Sequence, residues 1–351
     1  MNQTHRIAVL PGDGIGPEVI AEGLKILSAV ESRIPGARFE LTEFSVGAGE
    51  FLKSGNPLPE DTFQRIQGYD AILLGAMGLP DVRWPNGVEM APQLDLRERL
   101  GLYAGVRPIY LFHEIHSPLK QLAPGEIDFI LVRESTEGLF SSRRGTYSPD
   151  AAEVCDTMRI TRHTSERLFR AAFRLAQPRR RRVTLVDKAN VLPSMAFFRG
   201  IFDQVSREFP DVAAEKIYVD AAALYLVERP RDFDVLVTEN MFGDILSDLG
   251  AALVGGMGMA PSADIGDRHA VFQPSHGSAP TIAGQGIANP VATILSVAMM
   301  LEWLDTPATR QGGERIRRAV AETLASPERC TRELGGRLST VVMGDQIAAR
   351  I

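Results

Sequence analysis

The sequence predicts an α/β fold around a largely parallel sheet. Short apolar runs bounded by glycine or charge, such as "YDAILLGAMG" and "IDFILVRE", read as buried strands. Amphipathic segments of helical period, such as "SERLFRAAFRLA", separate them. The two kinds alternate along the chain, which is the pattern of β–α–β units.

"RIAVLPGDGIGPEVIAEGLKILSAV" reads as strand, glycine turn and helix, with Pro17 in the helix's first turn. "ARFELTEFSVG" alternates as a strand does, and "YDAILLGAMG" is a buried strand ending at glycine. "LDLRERLGLYAGVRPI" is a helix that breaks at Gly101 and passes into an extended Val-Arg-Pro. After the strand "IDFILVRE" comes a polar stretch whose second half, "AEVCDTMRITR", alternates like an exposed β-ribbon. "SERLFRAAFRLA" is a helix with Thr164 expected as N-cap. "RRVTLVDKANVL", "KIYVDAAALYLV" and "FDVLVTENMFGDILSDLGAALV" repeat the order strand then helix, and "NPVATILSVAMMLEWL" is a long apolar helix.

The 351 residues suffice for two domains or one large α/β unit. A net charge of −6 argues against nucleic acid as a partner, because phosphate contacts need a basic surface. The run Arg179 to Arg182 follows Pro178 in a helix-to-strand connection without interleaved aromatics, so a solvated loop is expected. No run reaches the ~18 apolar residues of a membrane span, and the first residues enter a strand at once, so no membrane partner and no signal peptide are expected. Cys155 and Cys330 match no metal or redox spacing and are expected as reduced thiols of a cytoplasmic protein.

Several charges stand in apolar surroundings. Asp244 and Asp248, in "GDILSD", lie one helical turn apart and so share a face. A divalent cation would relieve their repulsion, and oxygen ligands favour Mg2+ or Mn2+ over zinc. Alternatively Asp244 caps the helix and Asp248 faces solvent. Asp220, after "KIYV", offers a third oxygen ligand. Lys188 follows the strand "VTLVD" and suits proton transfer if its pKa is lowered; the alternative is an ion pair with Asp187. Arg97, Arg107 and Arg133 would clamp a dicarboxylate if they converged, and are surface ion pairs if they do not. "GDGIGP" is not G-x-G-x-x-G, since Pro17 and Glu18 follow Gly16, so it reads equally as a tight turn. "HGSAPTIAGQGIANP", from His276, is a glycine-rich loop whose backbone N–H groups could meet phosphates.

Together "LPGDGIGPEV", "VDKANVL", "FGDILSDL" and the segment from His276 resemble, in order and over nearly the whole chain, the β-decarboxylating dehydrogenases of isopropylmalate, isocitrate, homoisocitrate and tartrate or D-malate. The resemblance implies the isocitrate/isopropylmalate dehydrogenase-like two-domain fold, which is not a Rossmann fold. Residues 1–100 with 255–351 would form the larger, cofactor-binding domain. Residues 101–254 would form the smaller, dimerising one, with a β-ribbon arm near 141–163. Arg97, Arg107 and Arg133 would hold the substrate's carboxylates; Asp220, Asp244 and Asp248 the Mg2+ or Mn2+; and Lys188 and Asp220 would be catalytic. Ile15, His276, Gly277, Ser278, Ala279, Thr281 and Asn289 would meet the nicotinamide cofactor. The partner would be a second copy in a homodimer, or a higher oligomer built on it, whose lysine and first aspartate complete the site.

Three positions depart from the family pattern. Phe140 stands where a tyrosine is usual and removes a proton donor that serves decarboxylation. Thr281 replaces an aspartate that repels a 2′-phosphate, so NAD is expected with NADP not excluded. Gln93 interrupts a pair of leucines in the pocket of isopropylmalate enzymes, which points to a small or polar substituent. The expected function is therefore a metal-dependent NAD oxidoreductase acting on a (2R)-malate-type acid such as D-malate or tartrate. The alternatives are a 3-isopropylmalate dehydrogenase of leucine biosynthesis and a non-catalytic regulatory subunit.

Overall fold

The computed structural model describes residues 3–148 and 150–351. The chain divides into two compact units.

The first unit comprises the residues up to Leu96, Gly255–Ala263 and Arg268–Ile351. β1 (His5–Gly12) lies between β2 (Phe39–Glu43) and β3 (Ala71–Ala76), both parallel to it, with Ile7 opposite Ala71 and Val9 opposite Leu73. β4 (Ala104–Tyr110) to β8 (Val235–Thr238) belong to the second unit; β9 (Pro261–Ile265) lies in the first as far as Ala263, and β10 (Ala270–Pro274) lies in the first throughout. The order in the first unit is β2-β1-β3-β10-β9. β3 is buried along its whole length, as its unbroken apolar run requires. α1 (Gly16–Arg33) begins at the glycine turn with proline in its first turn, and sets Glu18 at its start and Arg33 at its end, the polarity favoured by the helix dipole. α9 (Val291–Leu304) is buried on nearly every side, from Val291 to Leu301. α10 (Pro307–Leu324), opened by a capping box at Thr306, packs on it.

The second unit holds Arg97–Val254 with Asp264–Asp267. β4 pairs antiparallel with β5 (Asp128–Glu134), and β8, β6 (Arg182–Asp187) and β7 (Ala213–Tyr218) follow in parallel, giving β4-β5-β8-β6-β7. Four helices serve this sheet: α5 (Arg162–Ala176), α6 (Pro193–Val205), α7 (Val219–Glu228) and α8 (Asn240–Ala252). Ile109, Phe129, Leu131, Leu236 and Leu246 form one buried cluster. Phe169 and Phe173 of α5 meet Phe198 and Phe202 of α6 with ring centroids 4.6–5.4 Å apart, locking that helix pair.

Three expectations are corrected. The N-cap of α5 is Thr161, whose side chain accepts from the Thr164 N–H; Thr164 is one turn in, where its hydroxyl donates to Glu137 Oε1 at 3.1 Å. The segment read as a β-ribbon forms no strand among the described residues, only an isolated bridge between Gly138 and Arg159. It is largely exposed, so its alternation buries nothing within one chain, and a ladder needs a second strand. The arginine run is not merely a solvated loop. Arg179 binds Asp234 and Asp128, each at 2.9 Å, and Arg180 donates to the carbonyls of Asp128, Arg231 and Phe233. The run ties together the starts of β5 and β8.

Candidate functional site

β4 and β5 place two arginines on one face. Gly105 is opposite Arg133, and Arg107 is opposite Leu131, so the arginines are diagonal neighbours across the antiparallel pair. Arg97 comes from the last turn of α4 (Pro92–Leu100). All three are buried. Burial, and then the charge of Arg97, pulls the Arg107 guanidinium below its ordinary range. Burial, followed by Arg97 and Arg107, brings Arg133 to about 9, still charged at neutral pH. The three arginines expected to converge are thus within electrostatic reach of one another. Such a cluster is costly without anions and receives a dianion readily.

Arg133 is held from α8. Its Nε and Nη2 donate to Asn240 Oδ1 at 2.9 and 2.7 Å, and its Nη1 to Asp244. Asn240 Nδ2 donates onward to the Glu137 carbonyl at 2.9 Å. Gly243 is a glycine because a Cβ there would lie 2.6 Å from Arg133 Cγ. Buried Glu239 caps α8 by accepting from the N–H groups of Met241 and Phe242. Asp244 is therefore not the cap of its helix.

Burial, and then the neighbouring charge of Asp244, raises the Asp248 carboxyl above its ordinary range, while Arg107 and Arg133 pull it down. A hard cation would remove that conflict, so the two carboxylates fit half of a metal site. Asp220 does not join them: among the described residues no three potential ligands lie together within one chain. Instead Asp220, exposed in the first turn of α7, accepts from Lys188 Nζ at 2.7 Å, which holds its carboxyl below the ordinary range. Lys188 does not pair with Asp187, which is buried and takes both donors of Arg199 at 2.7 Å. Lys188 and Asp220 form a second half-site, exposed at the ends of β6 and β7.

In the first unit the loop from His276 folds onto the start of α1. The Ile15 N–H donates to the Ser278 carbonyl at 2.8 Å, and Gly14, at φ 59°, is so close that a Cβ would meet that oxygen at 2.0 Å. The glycines of "GDGIGP" thus serve close backbone approach. Glu18 accepts from Gly284 N, and Ile15, Val19 and Ala288 form a small apolar cluster with Ala279 and Ile282. Thr340, at the start of α11 (Thr340–Ala348), donates from N to Gly286 at 2.9 Å and from Oγ1 to Ala288 at 2.7 Å. Gly277, Gly284 and Gly286 face open space, and Thr281 is exposed. Burial pulls the His276 imidazole below its ordinary range, and its buried Nε2 has no hydrogen-bond partner among the described residues. Asn289 is spent internally, accepting from Val291 N at 3.1 Å and hydrogen-bonded to Glu333, so it braces the loop.

Two participants escaped the sequence reading. Asn240 was hidden beside the more conspicuous "GDILSD". Asp264, which accepts from Arg97 Nε at 2.9 Å, was signalled only by a carboxylate inside the strand "PSADI".

The isocitrate/isopropylmalate dehydrogenase family model matches residues 6–347. The 3-isopropylmalate dehydrogenase of Moorella thermoacetica is 46% identical over 330 residues, 92% of this chain and 91% of that protein. That of Thermotoga maritima is 44% identical over 99% of each. Isocitrate dehydrogenase from Methylococcus capsulatus superposes with a TM-score of 0.88 at 35% identity, covering 99% of both chains. A β-decarboxylating dehydrogenase from Thermococcus kodakarensis gives 0.81 at 37% identity, covering 99% of this chain and 96% of that one. The similarity to 3-isopropylmalate dehydrogenases at 40–46% identity overturns the expectation of D-malate or tartrate as substrate. That expectation rested on Gln93, but glutamine brings two methylenes and Leu94 follows it, so the pair keeps apolar surface.

Proposed function

The chain belongs to the isocitrate/isopropylmalate dehydrogenase family, and on that premise we propose that it is a 3-isopropylmalate dehydrogenase using NAD and Mg2+ or Mn2+. The observation that carries this reading is the buried trio Arg97, Arg107 and Arg133 beside the Asp244–Asp248 half-site, in a chain 46% identical to an enzyme of that name.

The three guanidiniums bind and orient the two carboxylates of the substrate. Asp244 and Asp248 of one copy and Asp220 of a second would hold the divalent cation. When bound, the cation would supply Lewis-acid charge to the hydroxy acid and the nicotinamide would supply a hydride acceptor. Lys188 Nζ of the second copy, freed from Asp220 when that carboxylate turns to the cation, would take the hydroxyl proton as the neutral amine and become the ammonium. The carboxylate on C3 then leaves as CO2, its bonding pair passing into the C2–C3 enolate, and C3 takes a proton. Phe140, whose ring lies 5.1 Å from the Arg133 guanidinium carbon, has no proton to give, so another group delivers it. Thr281 can bond a ribose hydroxyl and repels nothing, so discrimination against NADP is relaxed.

A homodimer fits the exposed apolar side chains of α7 and α8, where Leu224, Val227, Met241 and Ile245 stand in solvent in one chain. The test is a steady-state assay of purified protein with 3-isopropylmalate and Mn2+, following NADH and CO2 with each cofactor. Turnover that a chelator abolishes and Mn2+ restores is expected, with NAD favoured by kcat/KM. No turnover of 3-isopropylmalate, or full activity without metal, would overturn the assignment.

A further inference from the structure

Asp264 gives the three guanidiniums of the second unit a fully buried counter-charge. Its Oδ2 accepts from Arg97 Nε at 2.9 Å and its Oδ1 from the Ser135 hydroxyl at 3.3 Å. Gly105 leaves room for this arrangement, since a Cβ there would stand 2.6 Å from Ser135 Oγ and 3.1 Å from Asp264 Oδ1. Arg107 and Arg133 are also within electrostatic reach of the Asp264 charge. Asp244 and Asp248 differ in kind. They are partly exposed on α8 and, on the reading above, are taken by the cation.

We propose that Asp264 is a positioning and specificity-determining residue: it holds Arg97 through Nε and sets a fixed negative charge inside the arginine cluster, which disfavours a third carboxylate on the substrate. This assignment rests on the dehydrogenase reading for its substrate. Arg133 already meets Asp244, and Asp264 adds a buried negative charge to the same cluster. A dicarboxylate with an apolar C3 substituent brings no charge on that branch. A carboxylate on that substituent is repelled by Asp264 across a medium of low dielectric. Nothing has to move for this selection, because Asp264 is already paired and hydrogen-bonded.

The experiment compares binding of two unreactive anions by calorimetry. 2-Isopropylsuccinate carries two carboxylates and an apolar branch; tricarballylate carries a third carboxylate on a branch of similar size. The native protein is expected to prefer isopropylsuccinate by at least about tenfold, or about 1.4 kcal/mol. Asp264→Asn, which keeps the shape and removes the charge, is expected to reduce that preference by about tenfold. Ser135→Ala, which keeps the charge, is expected to retain it. Equal binding of both anions by the native protein, or an unchanged ratio in Asp264→Asn, would overturn the assignment. If Asp264→Asn does not fold, Asp264→Ser is read in the same way. Neither anion is oxidised. Selective binding without turnover of 3-isopropylmalate would therefore sink the enzymatic reading and leave the clamp assignment standing, whereas turnover without selectivity would do the reverse.

Discussion

Glu134 shows how strongly the ground beneath the arginines is tuned. Its oxygens accept from Thr136 N and Oγ1, both at 2.6 Å, and from Glu137 N at 2.8 Å, which favours the carboxylate. Burial outweighs these bonds and raises its pKa from 4.5 to about 7. The sign of the effect on stability follows from the proton count. Between pH 4.5 and about 7 the folded chain holds a proton that the unfolded chain has released, so this group's contribution to stability is fully present below pH 4.5 and is lost as pH rises towards 7. Denaturant unfolding of Glu134→Gln across that window should show a flatter pH dependence than the native protein. An unaltered slope would mean that Glu134 does not titrate there. The proton sits next to Arg133 in sequence, so a screen for optimal assay pH reports on the foundation of the site as well as on its chemistry.

The packing of α8 against β5 depends on one missing side chain. Gly243 lets the stem of Arg133 pass, while Asn240, one turn earlier, receives two of its donors. Gly243→Ala would gain helix propensity and yet force the guanidinium out of register. It should destabilise the chain by about 1–3 kcal/mol and lower kcat/KM more than the unfolding data alone explain. A variant as stable and as active as the native protein would refute this tight fit. Elements of this kind were legible where hydrophobic period and turn chemistry agreed, as in β3, β5, α5 and the break at Gly101. Legibility failed where partners came from distant sequence. Thr161 rather than Thr164 caps α5, and both hydroxyls serve Glu137. Arg179 looked solvated because Asp128 and Asp234, which bind it, lie about 50 residues away. The buried arginines stood out by residue type, but Asp264, which accepts from Arg97, did not, because spacing carries no information about a contact 167 residues apart.

At the scale of the molecule, the chemistry is divided. The chain presents Lys188 with Asp220 in one place and Asp244 with Asp248 in another, and no set of three ligands among the described residues joins them. If two copies complete each site, Lys188→Ala and Asp244→Ala should each be inactive alone. Mixed in equal amounts and allowed to exchange subunits, they should recover about one quarter of native activity, because half of the dimers then hold one intact site of two. Recovery of nothing after demonstrated exchange would place the complete site within a single chain.

The loop that begins at His276 is anchored at both ends of the sequence. Ile15 and Glu18 grip it from α1, and Thr340 holds the Gly286 and Ala288 carbonyls from α11. A library built to change nucleotide preference should therefore randomise Thr340 and its neighbours together with Thr281. If Thr281 meets the cofactor as proposed, changing it while leaving its moorings untouched redesigns the key and keeps the old lock plate.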